Sequence, residues 1–264
     1  VMRNVKPATP AAPYTGGKRN LAGRLVAMIE RTPHETYVEP FVGMGGIFFR
    51  RSQAAKCEVI NDANGEVANL FRILQRHYVP FMDMLRYQLT SRREFERLSR
   101  TDPTTLTDLQ RAARFLYLQR TAYGGKVDKQ NFGVSVGRPG TFDVTKLGPV
   151  LEELHERLSG VIIECLGWAE VLDRYDRKGT LFYLDPPYWG TEHIYGRGLF
   201  ERAEFEALSD RLKALRGRFI LSINDVPEIR DAFSWARKTP VTVNYSIQGG
   251  GGHPAGELII TGRG

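Results

Sequence analysis

Apolar positions along this chain alternate between two spacings. Short dense runs fall at 35–39, 58–62, 161–165, 180–184 and 219–224. They are too short for helices, are rich in Val, Ile, Leu, Phe and Tyr, and read as buried strands. Between them, apolar residues recur at helical spacing. Leu21, Leu25, Met28 and Ile29 mark a first helix that Thr32-Pro33 ends. Further helices are expected at 66–76, at 150–158 closed by Gly160, at 202–215 and at 226–235. Strands alternating with helices predict an α/β fold with a mostly parallel sheet. The last two runs, 241–247 and 257–261, are joined by Gly249 to Gly252 with no helix between. They should pair as a terminal antiparallel hairpin.

One interval does not fit a simple crossover. From 78 to 149 there are roughly 70 residues where a dozen would return the chain to the sheet. Helical spacing at 79–89, 93–100 and 106–119, then a hairpin-like run at 131–138, predicts an inserted, mainly helical domain. Residues 1–77 and 150–264 would then be the two parts of one catalytic domain. Between Arg86 and Arg138 there are eleven Lys or Arg against five acids. The glycine-rich stretch 189–200 reads as a mobile loop, and the Pro- and Ala-rich stretch 1–13 as a loose arm.

The 264 residues carry a formal charge of +7, with a pI near 9.5. That favours a polyanionic partner such as nucleic acid. Cys57 and Cys165 form no CxxC pair and no disulfide framework, so a reducing cytosol is the default. No apolar run is long enough for a bilayer span. The five histidines are scattered without metal-ligand spacing, and no metal is expected.

Chemistry gathers at the ends of the predicted strands. The strand 181–184 stops at Asp185-Pro186-Pro187-Tyr188. Neither proline can donate to a sheet ladder, and each disfavours helix in the residue before it. A carboxylate, a bare carbonyl and a ring are thereby held at the carboxyl end of a strand, where open α/β sheets bind ligands. Such a pair of acceptors suits both protons of an exocyclic amino group. A strand ending in an ordinary proline turn has the same appearance.

The first strand ends at Glu39-Pro40-Phe41, followed by Gly43, Gly45 and Gly46 and the apolar run 47–49, which predicts strand, glycine turn, helix. The spacing is not GxGxxG. An acid before the turn would repel a pyrophosphate but would pair with a ligand ammonium, which points to S-adenosylmethionine rather than a dinucleotide. Asp62 ends the second strand roughly 20 residues beyond the turn, where Rossmann-like folds hold ribose hydroxyls; capping the next helix is the alternative. Tyr14-Thr15-Gly16-Gly17-Lys18, read alone, is first of all a flexible loop. Trp168 flanks an adenine ring or fills core.

Taken in order, Tyr14 to Lys18, Glu39 to Gly46, Asn61-Asp62, the basic insertion with Asn131 to Arg138, and Asp185 to Tyr188 resemble the Dam-like DNA adenine-N6 methyltransferases. The likeness spans nearly everything from Tyr14 onward. It implies a Rossmann-like S-adenosylmethionine-dependent methyltransferase fold, a seven-stranded sheet with an inserted recognition domain. It implies cofactor contacts from Tyr14, Gly17, Lys18, Glu39, Pro40, Phe41, Gly43, Gly45, Gly46, Asp62, Trp168 and Asp185, and catalysis by Asp185, Pro186, Pro187 and Tyr188 on an adenine flipped out of duplex DNA. Arg120, Tyr123, Lys126, Lys129 and Arg138 are the candidate DNA contacts. RNA adenine-N6 methylation and a catalytically inactive DNA-binding protein are the rival readings. A cytosine-N4 enzyme fits less well, since those commonly begin the corner with Ser. The resemblance implies a cytoplasmic, nucleoid-associated enzyme, and any restriction endonuclease partner would be a separate chain. Oligomeric state and target sequence are not readable from these residues.

Overall fold

The computed structural model describes residues 2–14, 18, 20–122, 130–133, 139–190, 200, 202–245 and 253–262. Its strands, in chain order, are β1 Arg3–Asn4, β2 Thr36–Glu39, β3 Gln53–Ala54, β4 Cys57–Asn61, β5 Ile162–Glu164, β6 Thr180–Leu184, β7 Arg218–Asn224, β8 Arg237–Tyr245 and β9 His253–Thr261. Seven of them form one sheet in the order β5-β4-β2-β6-β7-β9-β8. The first five of these are mutually parallel, and β9 runs antiparallel to both β7 and β8. This is the expected mostly parallel sheet with its terminal hairpin.

The strand sequences look continuously apolar because both faces of the sheet are covered. Side chains alternate between the faces. Tyr37, Ile60, Leu181, Tyr183, Ile220 and Ile259 pack into one core. Val38, Val59, Phe182, Leu184, Leu221 and Leu258 pack into another. The helices are α1 Ala22–Arg31, α2 Gly65–Arg76, α3 Tyr78–Leu85, α4 Arg92–Arg100, α5 Asp108–Thr121, α6 Val144–Arg157, α7 Trp168–Tyr175, α8 Ala203–Ala214 and α9 Pro227–Ala232. Helices α1 to α6 supply the first core, and α7 to α9 the second. The insertion therefore does not stand apart. Phe81, Phe95 and Leu116 bury in the same core as Phe71 and Leu74 of α2.

Chain order reverses between β2 and β6. From β2 the chain steps outward to β4 and β5, then crosses back to β6 and continues the other way. The crevice at the carboxyl ends of these two strands is the switch point of an open α/β sheet. Register pairs Val38 with Phe182, so Glu39 lies opposite Tyr183 and Asp185 follows two residues on, both opening onto that crevice.

Four local expectations are corrected. The N-terminal stretch is not loose: Arg3 and Asn4 pair with Ala54 and Gln53, and Ala8, Ala11 and Ala12 are buried. The small alanines let the backbone lie flat on the core, which composition alone does not show. No α-helix follows the glycine turn; 48–50 make a single 3₁₀ turn before β3. Phe48 and Phe49 bury as core anchors, and the Ser52 and Phe49 carbonyls are taken by the Val5 and Ala8 amides of the arm. Helix α6 begins at Val144 rather than 150, so Pro149 lies inside it. Asp143 caps that start, accepting from the Thr145 amide at 3.0 Å, and buried Leu147, Leu151 and Leu154 outweigh the one bond that Pro149 cannot make. Strand β8 begins at Arg237, four residues early, because β9 offers it a pairing edge along its whole length.

Helix α5 carries a capping box, with the Thr107 side chain on the Gln110 amide and Gln110 reaching back. Thr107→Ala is expected to destabilise the protein by about 1 kcal/mol. Chemical denaturation checks this; an unchanged midpoint would show that the box contributes nothing.

Candidate active site

Asn61, the last residue of β4, ties the crevice together. Its amide nitrogen donates to the Pro40 carbonyl at 2.9 Å and the Leu166 carbonyl at 3.0 Å, and its oxygen accepts from the Leu166 amide at 2.8 Å. Three strand ends are fixed by one side chain. The next residue, Asp62, accepts from the Gly43 amide at 2.9 Å and the Asn64 amide at 2.9 Å. Helix α2 is capped by Asn64, not Asp62, which removes the capping alternative. Each carboxylate oxygen has a second lone pair for a hydroxyl. Burial pushes the Asp62 carboxyl up to about 6.

The glycine turn needs its glycines for separate reasons. Gly43 has φ +50°, and a Cβ there would lie 3.0 Å from the Tyr14 ring. Gly45 has φ +74°, and a Cβ there would overlap the Phe49 ring. Gly45→Ala should therefore cost about 1–3 kcal/mol through strain at a left-handed position, read as a lower thermal midpoint. A midpoint equal to wild type would mean the turn relaxes freely.

A cleft of about 1050 Å³ opens at the switch point. Tyr14, Lys18, Glu39, Pro40, Phe41, Gly43, Gly46, Asp62, Trp168, Asp185 and Pro187 all line it, as does Arg120. Phe41, Trp168 and Phe200 form an aromatic wall, with Phe200 edge-on to Phe41 at 5.8 Å. Glu39 is buried and accepts from the Tyr37 hydroxyl at 2.6 Å. Burial raises its carboxyl to about 8, with the Tyr37 bond and the Arg51 charge opposing.

Asp185 meets Lys18 Nζ at 2.9 Å, and the Ser222 hydroxyl donates to it at 3.4 Å. Burial lifts its carboxyl to about 6, against the pull of Lys18. The corner that follows is held by Asn224, which exchanges hydrogen bonds with the Trp189 backbone at 3.0 and 3.1 Å. Pro186 is buried. Tyr188 points its hydroxyl at Lys18 and Glu257, and its ring lies 4.0 Å from Lys18 Nζ. Gly45 faces Phe49 behind the turn rather than the cleft.

Arg120 is turned inward. It donates to the carbonyls of Ala11 at 2.6 Å and Thr141 at 3.2 Å, bracing the N-terminal arm over the cleft. Gly17, Tyr123, Lys126, Lys129 and Arg138 lie outside the described residues, as do 191–199 and the glycine loop 249–252. Sequence reading missed Ser222, Phe200 and Glu257. Two left a trace: Phe200 as the end of a stretch read as a loop over the site, and Glu257 as an acid heading an otherwise apolar strand. Among the described residues no group of three or more His, Cys, Asp or Glu could hold a metal. No helix among them is long and apolar enough to cross a membrane.

The arrangement unites a carboxylate-bearing proline corner with a deep cleft and a glycine turn preceded by a buried acid. Comparison with known proteins agrees with that chemistry. The model of the D12 class N6 adenine-specific DNA methyltransferases matches residues 14–247. Type II methyltransferase M.CviBI of Paramecium bursaria Chlorella virus NC1A is 23% identical over 256 residues, covering 96% of each chain. The DNA adenine methylases of Salmonella typhi and Escherichia coli (strain K12) are 27% and 25% identical, each covering 90% of this chain and 89% of their own. The chain belongs to the D12 class of N6 adenine-specific DNA methyltransferases.

Proposed function

We propose that the cleft binds S-adenosylmethionine and an extruded adenine together, with Asp185 between them. The observation that carries this is that Glu39 and Asp185 line the same switch-point cleft. The residues fit the cofactor. Glu39 is a buried acid awaiting a cation, and Asp62 stands one strand away with spare lone pairs. Phe41, Trp168 and Phe200 offer flat apolar surface to an adenine ring. When bound, S-adenosylmethionine supplies an electrophilic methyl on a sulfonium.

The protein's part is positioning and electrostatics. Adenine's amino nitrogen is a poor nucleophile because its lone pair is delocalised into the ring. Asp185 and the Pro186 carbonyl accept its two N–H bonds and favour a pyramidal nitrogen. Bond formation at that nitrogen would leave the C–S electron pair with the cofactor, so no group of the chain need take it. The nitrogen then sheds one proton, and the Asp185 carboxylate is placed to take it. Lys18 keeps that carboxylate ionised near neutral pH. Tyr188 supplies the ring against the base. The basic insertion, with Tyr123, Lys126, Lys129 and Arg138, contacts duplex DNA, while Arg120 braces the N-terminal arm instead.

Labelled methyl transfer to duplex DNA and to structured RNA, measured side by side, tests this reading. Transfer to adenine N6 in duplex DNA is expected. Transfer to RNA alone would overturn the substrate, and failure to bind S-adenosylmethionine would overturn the site. Methylation-sensitive sequencing of DNA from cells expressing the protein gives the recognised sequence.

A further inference from the structure

Lys18 is a buried cation, 4% exposed, facing two carboxylates rather than one. Asp185 lies 2.9 Å from its Nζ and Glu257 lies 3.5 Å away. Its third donor goes to the Tyr188 hydroxyl, which donates onward to Glu257. The ammonium thus meets oxygens of three side chains. Glu257 sits on β9 with no exposed surface, opposite Asn224 of β7 in the register. A fully buried carboxylate in an apolar strand is costly unless it is paired. Lys18 needs one counter-ion, and Asp185 already supplies it.

We infer that Glu257 is a positioning residue of the methyl-transfer site: it anchors the Tyr188 hydroxyl and shares the charge of Lys18, so that Asp185 keeps its acceptor strength for the amino group. This rests on the roles given above to Asp185 and Tyr188. Without Glu257 the lysine's whole charge would fall on Asp185, and a carboxylate neutralised at close range is a weaker acceptor. The Tyr188 hydroxyl would also lose its bond to a charged acceptor on β9. Asn224 and Glu257 then hold the corner from two sides, one through the Trp189 backbone and the other through the Tyr188 side chain.

The charged and titratable groups around Asp185 define what removal should do. Lys18 and Ser222 favour its ionised form, while Glu257 opposes it. Glu39 on β2 and Tyr183 on β6 also face it, each coupled to its charge. Glu257→Gln keeps shape and a hydrogen-bonding end but deletes one negative charge. Three results are expected of full-length Glu257→Gln on duplex DNA. The rate constant kcat should fall by about tenfold, the value of one hydrogen bond to a charged group. KM for S-adenosylmethionine should stay within about twofold, since the substitution leaves the Lys18–Asp185 pair in place. The acid limb of the kcat profile should move to lower pH, because Asp185 loses a like charge.

A purely structural residue would lower stability without moving that limb. Tyr188→Phe combined with Glu257→Gln should cost less than the sum of the two single losses, since one removes and the other weakens the same hydrogen bond. An unmoved acid limb together with additive losses overturns the inference. Should Glu257→Gln fail to fold, Tyr188→Phe decides alone. Its kcat should fall, and 2-aminopurine at the target position should fluoresce more strongly as stacking loosens. Wild-type kcat and fluorescence in Tyr188→Phe would then overturn it. If the wild-type protein itself transfers no methyl group to DNA, the parent reading has failed instead.

Discussion

Asp185→Ala is expected to lower kcat for DNA methylation by at least about 10³-fold while leaving duplex binding within a few-fold. The alanine removes the group proposed above both to accept from the adenine amino group and to take its proton. It also leaves Lys18 with a single nearby counter-ion, Glu257 at 3.5 Å. The DNA contacts proposed for the insertion do not involve Asp185, so a gel-shift or anisotropy titration should show near-normal affinity. Near-normal turnover in this variant would refute the assignment. The same chemistry fixes a pH dependence. Burial holds the Asp185 carboxyl at about 6, and only its ionised form accepts both a hydrogen bond and a proton. Turnover should therefore fall as pH drops through about 6, tending towards tenfold per pH unit below it.

The second large effect concerns Glu39 and cofactor affinity. Burial holds this carboxyl at about 8, so at neutral pH the free protein carries it protonated. A neutral acid cannot balance an ammonium, so binding must expel a proton. Below pH 8 the free acid and the free ammonium hold two protons between them, and the bound pair holds one. Affinity should therefore rise with pH towards about 8. Above it the free amine, with a pKa near 8, has lost its own proton, and affinity should fall again. Calorimetry at pH 7 in two buffers of different ionisation enthalpy should detect the released proton. Glu39→Gln should weaken binding by roughly 10²-fold and flatten the acid side of the profile. If wild type binds with no proton exchange at pH 7, the ammonium role of Glu39 is wrong.

Much of the fold was legible because strand and helix leave different periods. The run from Leu181 to Leu184 is apolar because β6 is buried on both faces, and its abrupt stop at Asp185 is visible in the residues themselves. The ends of β2 and β4 are likewise visible, at the acid Glu39 and the amide Asn61 that mark the crevice. The 3₁₀ turn at 48–50 was not legible. Phe48 and Phe49 are as apolar in a short anchored turn as in a helix, and only the arm lying across them decides which forms.

Local chemistry, written residue by residue, determined the α/β alternation, the glycine turn, the proline corner and the acid before the turn. A side chain's type and its neighbours in the chain fix such features through sterics and backbone hydrogen bonding. Tertiary structure alone decided that Lys18, Asp185, Tyr188 and Glu257 share one buried network, although Lys18 and Glu257 lie at opposite ends of the chain. It also decided that Arg120 turns inward and that the N-terminal arm is part of the core. Contacts between residues far apart in sequence depend on strand order and register, and no periodicity in a single chain encodes which strand lies beside which.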